Sequence, residues 1–266
     1  MYKISCFADE ISPEVTEQIR VMEACGIKYL CLRAAWEKNV LSLTDVQVAE
    51  IKKLISDSGI AVSTLGSPIG KTNMDEDKDI YLDQCKRAVE VCQMLDCSGI
   101  RMFSFYFNDN GQDRYGQVAE RIHRMLEIVA PHNVTLLHEN ENAIYGESPE
   151  NCLKLLEGIN NPLFRAIHDP ANYVLDGHDP HAALLLLKQY TDEFHIKDAR
   201  LDPKEILPAG EGEGRVLEAL QEMKPKDMYA TLEPHLAHGG QFGGFSGEDC
   251  FVRAYKALKA LVDRVQ

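Results

Sequence analysis

The chain has 266 residues, 45% of them apolar, and a formal charge of −14. That acidity, with no cluster of five or more Lys/Arg, speaks against nucleic acid and anionic membrane surfaces as partners, and no apolar run approaches the ~18 residues of a membrane span. The eight cysteines (6, 25, 31, 85, 92, 97, 152 and 250) include no CxxC, and the N-terminal stretch Met1–Glu10 does not resemble a signal peptide, so the expectation is reduced thiols in a cytoplasmic protein.

Lys3–Phe7 reads as a first strand. Pro13–Cys25 follows with helical apolar spacing (Val15, Ile19, Met22); Ser12 is the expected N-cap and Gly26 the stop. Ile27–Arg33 is the second strand, and Thr44–Ser58 a helix capped by Thr44 and ended by Gly59. Ile60–Leu65 and Asp77–Asp96 form the third pair, Gly99–Ser104 and Gln112–Ala130 the fourth. Val134–His138 is followed by Ser148–Gly158, whose Ser148-Pro149-Glu150 looks like a capped start. Leu163–His168 with Asp179–Lys188, Glu193–Lys197 with Gly214–Met223, and Met228–Leu232 with Ser246–Val265 complete eight strand–helix units.

Short apolar runs alternating with helical patterns imply parallel βαβ units. Eight units in 266 residues, about 33 each, match an α/β fold of the (β/α)8 TIM-barrel type in one domain, which commonly takes about 250 residues. The rival, a doubly wound open sheet, would place a Gly-rich turn after the first strand, where this chain has Ala8-Asp9-Glu10-Ile11-Ser12.

A barrel of this kind carries its active site at the C-terminal strand ends. The polar residues just past each strand are Asp9 and Glu10, Arg33, Ser67 and Lys71, Ser104, Glu139 and Asn140, Asp169 and Asn172, His195 with Lys197 and Asp198, and Glu233 with His235. Four of them stand out. Glu139, Asp169, His195 and Glu233 are spaced by 30, 26 and 38 residues, so they come from strands five to eight and converge on one side of the mouth. Their contexts, His-Glu-Asn, His-Asp-Pro and Leu-Glu-Pro for the carboxylates, are poor helix caps. Three carboxylates and an imidazole form a ligand set for one divalent ion, Mn²⁺, Mg²⁺, Co²⁺ or Zn²⁺, whose usual task is Lewis-acid chemistry on a bound oxygen.

With these motifs the chain resembles the sugar phosphate isomerase/epimerase superfamily, the xylose isomerase-like TIM barrels. The resemblance runs through Phe7-Ala8-Asp9-Glu10-Ile11-Ser12, Gly26–Arg33 and Gly66–Lys71, and is strongest at Glu139-Asn140, Asp169-Pro170-Ala171-Asn172, His195-Ile196-Lys197-Asp198 and Glu233-Pro234. It implies that Glu139, Asp169, His195 and Glu233 hold one metal ion and that Glu139 and Glu233 are also the acid/base pair. The implied substrate is a small sugar or sugar phosphate, isomerised or epimerised through a metal-stabilised enediolate. Loss of a β-hydroxyl from the same enediolate would make the protein a dehydratase of the inosose dehydratase type. A homo-oligomer is expected by analogy only.

Lys197, Asn172, Arg33, Lys71, Glu10 and His235 are the candidate substrate contacts; for Lys197 the competing role is an ion pair with Asp198 or Glu139. The chain departs from the ketose epimerase pattern at Asn172, where a His is common, and at Glu139-Asn140-Glu141, where Glu-x-His is common, so recognition of a different substrate is expected. His168 should point away from the mouth as a buried, hydrogen-bonded histidine. The run Gly210-Glu211-Gly212-Glu213-Gly214 lacks the spacing of a phosphate cradle and reads as a mobile loop at the mouth, and 238–245 as a flexible loop over it. Two readings from other classes remain: a DNA-repair nuclease of the endonuclease IV type, which would need histidines where Arg33, Gly66 or Ser67, and Asn172 stand, and a non-catalytic sugar-binding barrel.

Overall fold

The structure is a computed structural model that describes residues 1–75, 79–108, 114–224, 226–237 and 246–265. Eight of its strands form a barrel: β1 (Tyr2–Cys6), β2 (Tyr29–Leu32), β3 (Ala61–Leu65), β4 (Gly99–Met102), β5 (Thr135–Glu139), β6 (Phe164–His168), β7 (Thr191–Ile196) and β8 (Met228–Leu232). Each pairs in parallel with its neighbours in chain order, and β1 pairs β8 to close the barrel. Such closure leaves the sheet no unpaired edge. The strand interiors, for example Leu136, Ala166, Phe194 and Ala230, are buried between the barrel interior and the helical ring.

Helices α1 (Val15–Cys25), α2 (Asp45–Asp57), α3 (Ile80–Leu95), α4 (Tyr115–Val129) and α5 (Pro149–Ile159) cover the first half. α6 (Pro170–Leu175), α7 (Pro180–Leu187), α8 (Val216–Met223) and α9 (Gly247–Val265) cover the second. Among the described residues no helix is long and apolar enough to cross a membrane. Local chemistry explains most boundaries. Thr44 and Gln47 form a reciprocal capping box on α2. Ser148 caps α5 with Pro149 in its first turn, and Gly26 ends α1 at φ +70°.

Two expectations are corrected. Helix α1 begins at Val15, because the Ser12 hydroxyl accepts from the Glu14 amide and closes a bend there. And Asp169, taken from its context as a poor cap, caps α6: its Oδ1 accepts from Asn172 N at 3.0 Å, with Pro170 in the first helical turn. That short helix was not expected from the sequence. The starts assigned at Asp77 and Gln112, and the loop 238–245, lie outside the described residues.

Past β7 the chain turns back as a two-stranded hairpin, Asp198–Arg200 with Glu205–Leu207. The glycine-rich run that follows is pinned, contrary to the expected mobile loop. The buried Asp198 carboxylate accepts four backbone N–H groups: Ala199 at 2.8 Å and Gly214 at 2.7 Å on Oδ1, Gly210 at 2.8 Å and Gly212 at 3.1 Å on Oδ2. A Cβ on Gly212 would lie 2.4 Å from Asp198 Oδ1 and one on Gly214 2.6 Å from it, so close approach of the backbone requires glycine at both.

Candidate active site

The C-terminal strand ends enclose a cavity of about 550 Å³. Glu139 closes β5, and Glu233 and Asp169 follow β8 and β6 by one residue. His195 stands one residue before the end of β7. All four are buried. Glu139, His195 and Glu233 each offer a ligand atom within 4.8 Å of the other two. The Nδ1 of His195 is 2.7 Å from Glu139 Oε1.

Asp169, the fourth residue singled out in the sequence, is not in that group. Its Oδ2 pairs with Lys197 Nζ, which also donates to Glu233 Oε2 at 2.9 Å. Lys197 therefore bridges Asp169 and Glu233, where the sequence had suggested Asp198 or Glu139 as its ion-pair partner. The β6 end is fixed by a reciprocal exchange: Asp169 N donates to Asn140 Oδ1 at 2.9 Å, and Asn140 Nδ2 to the Asp169 carbonyl at 3.0 Å. Asn172 Nδ2 donates to the Asn140 carbonyl at 2.8 Å.

Arg33 donates to Asp9 Oδ2 at 2.8 Å and to Glu233 Oε1 at 2.9 Å. His235 Nε2 lies 3.1 Å from Glu10 Oε1 and 3.4 Å from Glu233 Oε1. Glu10 sits behind the mouth: its Oε2 accepts from the His235 amide at 2.8 Å and the Ser246 hydroxyl at 2.7 Å, tying the β8 end to the start of α9. It does not line the cavity, whereas Arg33, Lys71, Asn172, Lys197 and His235 do. Lys71 is the outermost of these, paired with Glu141 at 2.7 Å over the Phe103 ring.

The residue that strand-end counting missed is Arg101. It is buried inside β4, donates to Glu139 Oε2 at 3.0 Å and to the carbonyls of Ser67 and Gly66, and reaches the cavity. Its guanidinium and that of Arg33 flank the Phe7 ring at 4.9 and 4.6 Å from its centroid. A cation inside an otherwise apolar strand was the available signal. His168 is buried as expected, but neither ring nitrogen has a hydrogen-bond partner among the described residues; it packs on Tyr173 and Phe194.

The electrostatics follow from burial and pairing. Burial raises the Glu139 carboxyl, but His195 and then Arg101 outweigh it and hold it well below its ordinary range. For Glu233, Lys197, His235 and Arg33 outweigh burial in the same way. Asp169 goes the other direction: burial dominates over the Lys197 ammonium and lifts it to about 7. Burial likewise lifts Glu10 to about 7 and lowers His235 to about 3.

The donor set passes a simple test for a divalent ion. Two carboxylates and an imidazole converge, with a third carboxylate adjacent. Around them five carboxylates (Asp9, Glu10, Glu139, Asp169, Glu233) face three permanent cations (Arg33, Arg101, Lys197). A dication beside Asp169 would favour the ionised form that burial opposes there.

A family model described as xylose isomerase-like TIM barrel matches residues 19–235. No curated protein sequence matched. Among solved structures, the IolI protein with a bound zinc atom superposes with TM-score 0.79 at 15% identity, covering 99% of each chain. The probable 3-DHS dehydratase AsbF of Bacillus anthracis gives 0.78 at 18%, covering 97% of this chain and 99% of its own. The D-psicose 3-epimerase of Clostridium cellulolyticum H10, solved with D-tagatose, gives 0.75 at 14%, covering 99% of each.

Proposed function

The chain belongs to the xylose isomerase-like TIM barrel family, and from that premise we propose that it is a divalent-metal-dependent isomerase or epimerase of a small sugar or sugar phosphate. The observation that carries this reading is the pair Glu139 and Glu233, both buried and both lining the cavity, each with a ligand atom within 4.8 Å of the other and of His195. Removing a proton from a carbon next to a carbonyl needs an ionised base on one face and a proton source on the other or on the same face. Buried permanent cations, Arg101 against Glu139 and Lys197 with Arg33 against Glu233, favour the ionised carboxylates over the burial that opposes them.

In this reading Glu139, Glu233, His195 and Asp169 hold the ion. When bound, it supplies Lewis-acid stabilisation of the negative oxygen that develops as the C–H bond breaks. Asp169 would hold the ion in place of its Lys197 contact, and the Lys197 ammonium, which lines the cavity, would donate to a substrate oxygen. Asn172, Arg33, Lys71 and His235 orient the remaining hydroxyls, and Leu175 and Ile206 form the apolar wall. Glu10 supports His235 from behind. Two bases on opposite faces give epimerisation; one base shuttling the proton between adjacent carbons gives aldose–ketose isomerisation.

The fold shared with AsbF supports a second reading, loss of a β-hydroxyl from the same enediolate. One experiment separates them. The protein, loaded with Mn²⁺ or Mg²⁺ in heavy water, is incubated with a panel of ketoses, aldoses, their phosphates and inososes, and each product is weighed. Deuterium gain without loss of water, abolished by Glu139→Gln and by Glu233→Gln, is the expected result. Loss of one water moves the assignment to a dehydratase. Label uptake surviving both substitutions refutes the acid/base pair.

A further inference from the structure

Beneath the mouth, inside the barrel, lies a carboxylate that the proposed chemistry does not use. Glu193 is on β7, two residues before His195, so its side chain points to the same side of the strand one step deeper. It is buried. Its Oε2 accepts from the Thr64 hydroxyl at 2.6 Å, from β3 across the barrel, and its Oε1 accepts from the Thr231 hydroxyl at 2.6 Å, from the adjoining β8. Two short hydroxyl donors from different strands fix both oxygens, which is far more order than a chance ionisable residue in a barrel core would have.

What Glu193 faces is the far side of His195. The ring's Nδ1 points to the mouth, towards Glu139. Its Nε2 points inward, is fully buried, and has no hydrogen-bond partner among the described residues. The nearest carboxylate atom is Glu193 Oε1 at 3.6 Å. A movement of about half an ångström makes that ion-pair separation a hydrogen bond. The other neighbour, Cys31, offers a thiol, which is only a weak acceptor. An edge-on contact with Phe7, 5.0 Å between ring centroids, restrains the imidazole from the side.

We propose that Glu193 is the positioning residue of this centre: its carboxylate, locked by Thr64 and Thr231, takes the Nε2–H of His195 and so presents the Nδ1 lone pair to a divalent ion at the mouth. The inference rests on reading Glu139, His195 and Glu233 as ligands. Its physical content is tautomer control. A neutral imidazole carries its proton on one nitrogen, and a fixed anion beside Nε2 assigns it there and makes Nδ1 the better donor. The two threonines keep the anion from turning away.

The test uses the full chain, stripped with a chelator and titrated with Zn²⁺ against a chromophoric competitor. Glu193→Ala should bind Zn²⁺ about 10–100-fold more weakly than the parent, the usual effect of losing such a partner. Glu193→Gln keeps the shape and a neutral acceptor, so it serves if the Ala variant fails to fold; about tenfold weaker binding is expected. Nitrogen-correlated NMR of the Zn²⁺ form gives a second readout: a slowly exchanging Nε2–H on His195 in the parent, lost in the Ala variant and fast-exchanging in the Gln variant. Parental affinity and an unchanged Nε2–H in a folded variant would overturn the inference while leaving the ligand reading intact. No Zn²⁺ uptake by the parent would overturn both.

Discussion

The Asp198 carboxylate is the most exacting feature outside the candidate active site, and Asp198→Asn tests the reasoning behind it. The side chain keeps its shape, but one of its two oxygens becomes an NH2. Each oxygen serves two N–H donors, Ala199 and Gly214 on one, Gly210 and Gly212 on the other. Whichever way the amide turns, two backbone donors face a donor. The Ala199 and Gly214 bonds are buried, while those of Gly210 and Gly212 are partly exposed and can turn to water. An unsatisfied buried N–H costs about 1–3 kcal/mol, so the amide settles with its oxygen on the buried pair and loses about 1–2 kcal/mol overall. Asp198→Ala strands both buried donors and costs about 3–5 kcal/mol by the same scale. The hairpin that this nest braces carries Ala199, packed with Ala171 and Val174 of α6, and Ile206, which lines the cavity. Loosening it should therefore raise KM more than it lowers kcat. Urea denaturation gives the stability change, and hydrogen exchange across 198–214 gives its location. Asp198→Asn within 0.5 kcal/mol of the parent, with unchanged exchange in that segment, would refute the account.

Arg101→Met breaks its buried pair with Glu139 and should cost about 3–5 kcal/mol by leaving a buried charge short of a partner. Combining it with Glu139→Gln should recover part of that loss, and a double-mutant cycle by urea denaturation that comes out additive would remove the coupling. Burial lowers His138 to about 4, with Glu139 opposing, and lowers His168 to about 3. Between the ordinary histidine value of about 6.5 and those values, the unfolded chain takes up protons that the folded chain refuses, so these two residues make stability fall as pH drops through that window. His168→Phe should remove its share, narrowing the loss between pH 7 and 4.5 by about 2–3 kcal/mol; urea midpoints of parent and variant that shift equally with pH would contradict this.

The eight-strand barrel was legible because parallel strands buried on both faces are uninterrupted apolar runs bounded by turn residues, and the right-handed βαβ connection leaves little choice of order. Met228–Leu232 appears in the structure with those bounds, and Leu163–His168 with its first residue left out. Helix α6 escaped notice because six residues opening with proline carry no periodic signal; its cap is an aspartate already spoken for as a ligand. The mobility assigned to Gly210–Gly214 was an inference from composition. Composition counts glycines, but not the carboxylate 12 to 16 residues upstream that needs their bare backbone.

Arg101 and Glu193 were missed for a shared reason. Attention to the positions just past each strand finds the rim of a barrel mouth and skips the layer beneath it. Both residues lie inside strands, where a charge has no solvent and must meet a partner in the barrel interior. Glu193 is two residues before His195 and Arg101 two before Phe103, the spacing that puts alternate side chains on one face. Arg101 meets Glu139 from within the barrel, through the ion pair at 3.0 Å, and Glu193 lies 3.6 Å from His195 Nε2 on the same inner side. An ionisable residue inside an apolar strand, two positions upstream of the residue at its mouth end, is thus a readable sign of the second layer, and its partner is found on that strand or on the neighbouring one.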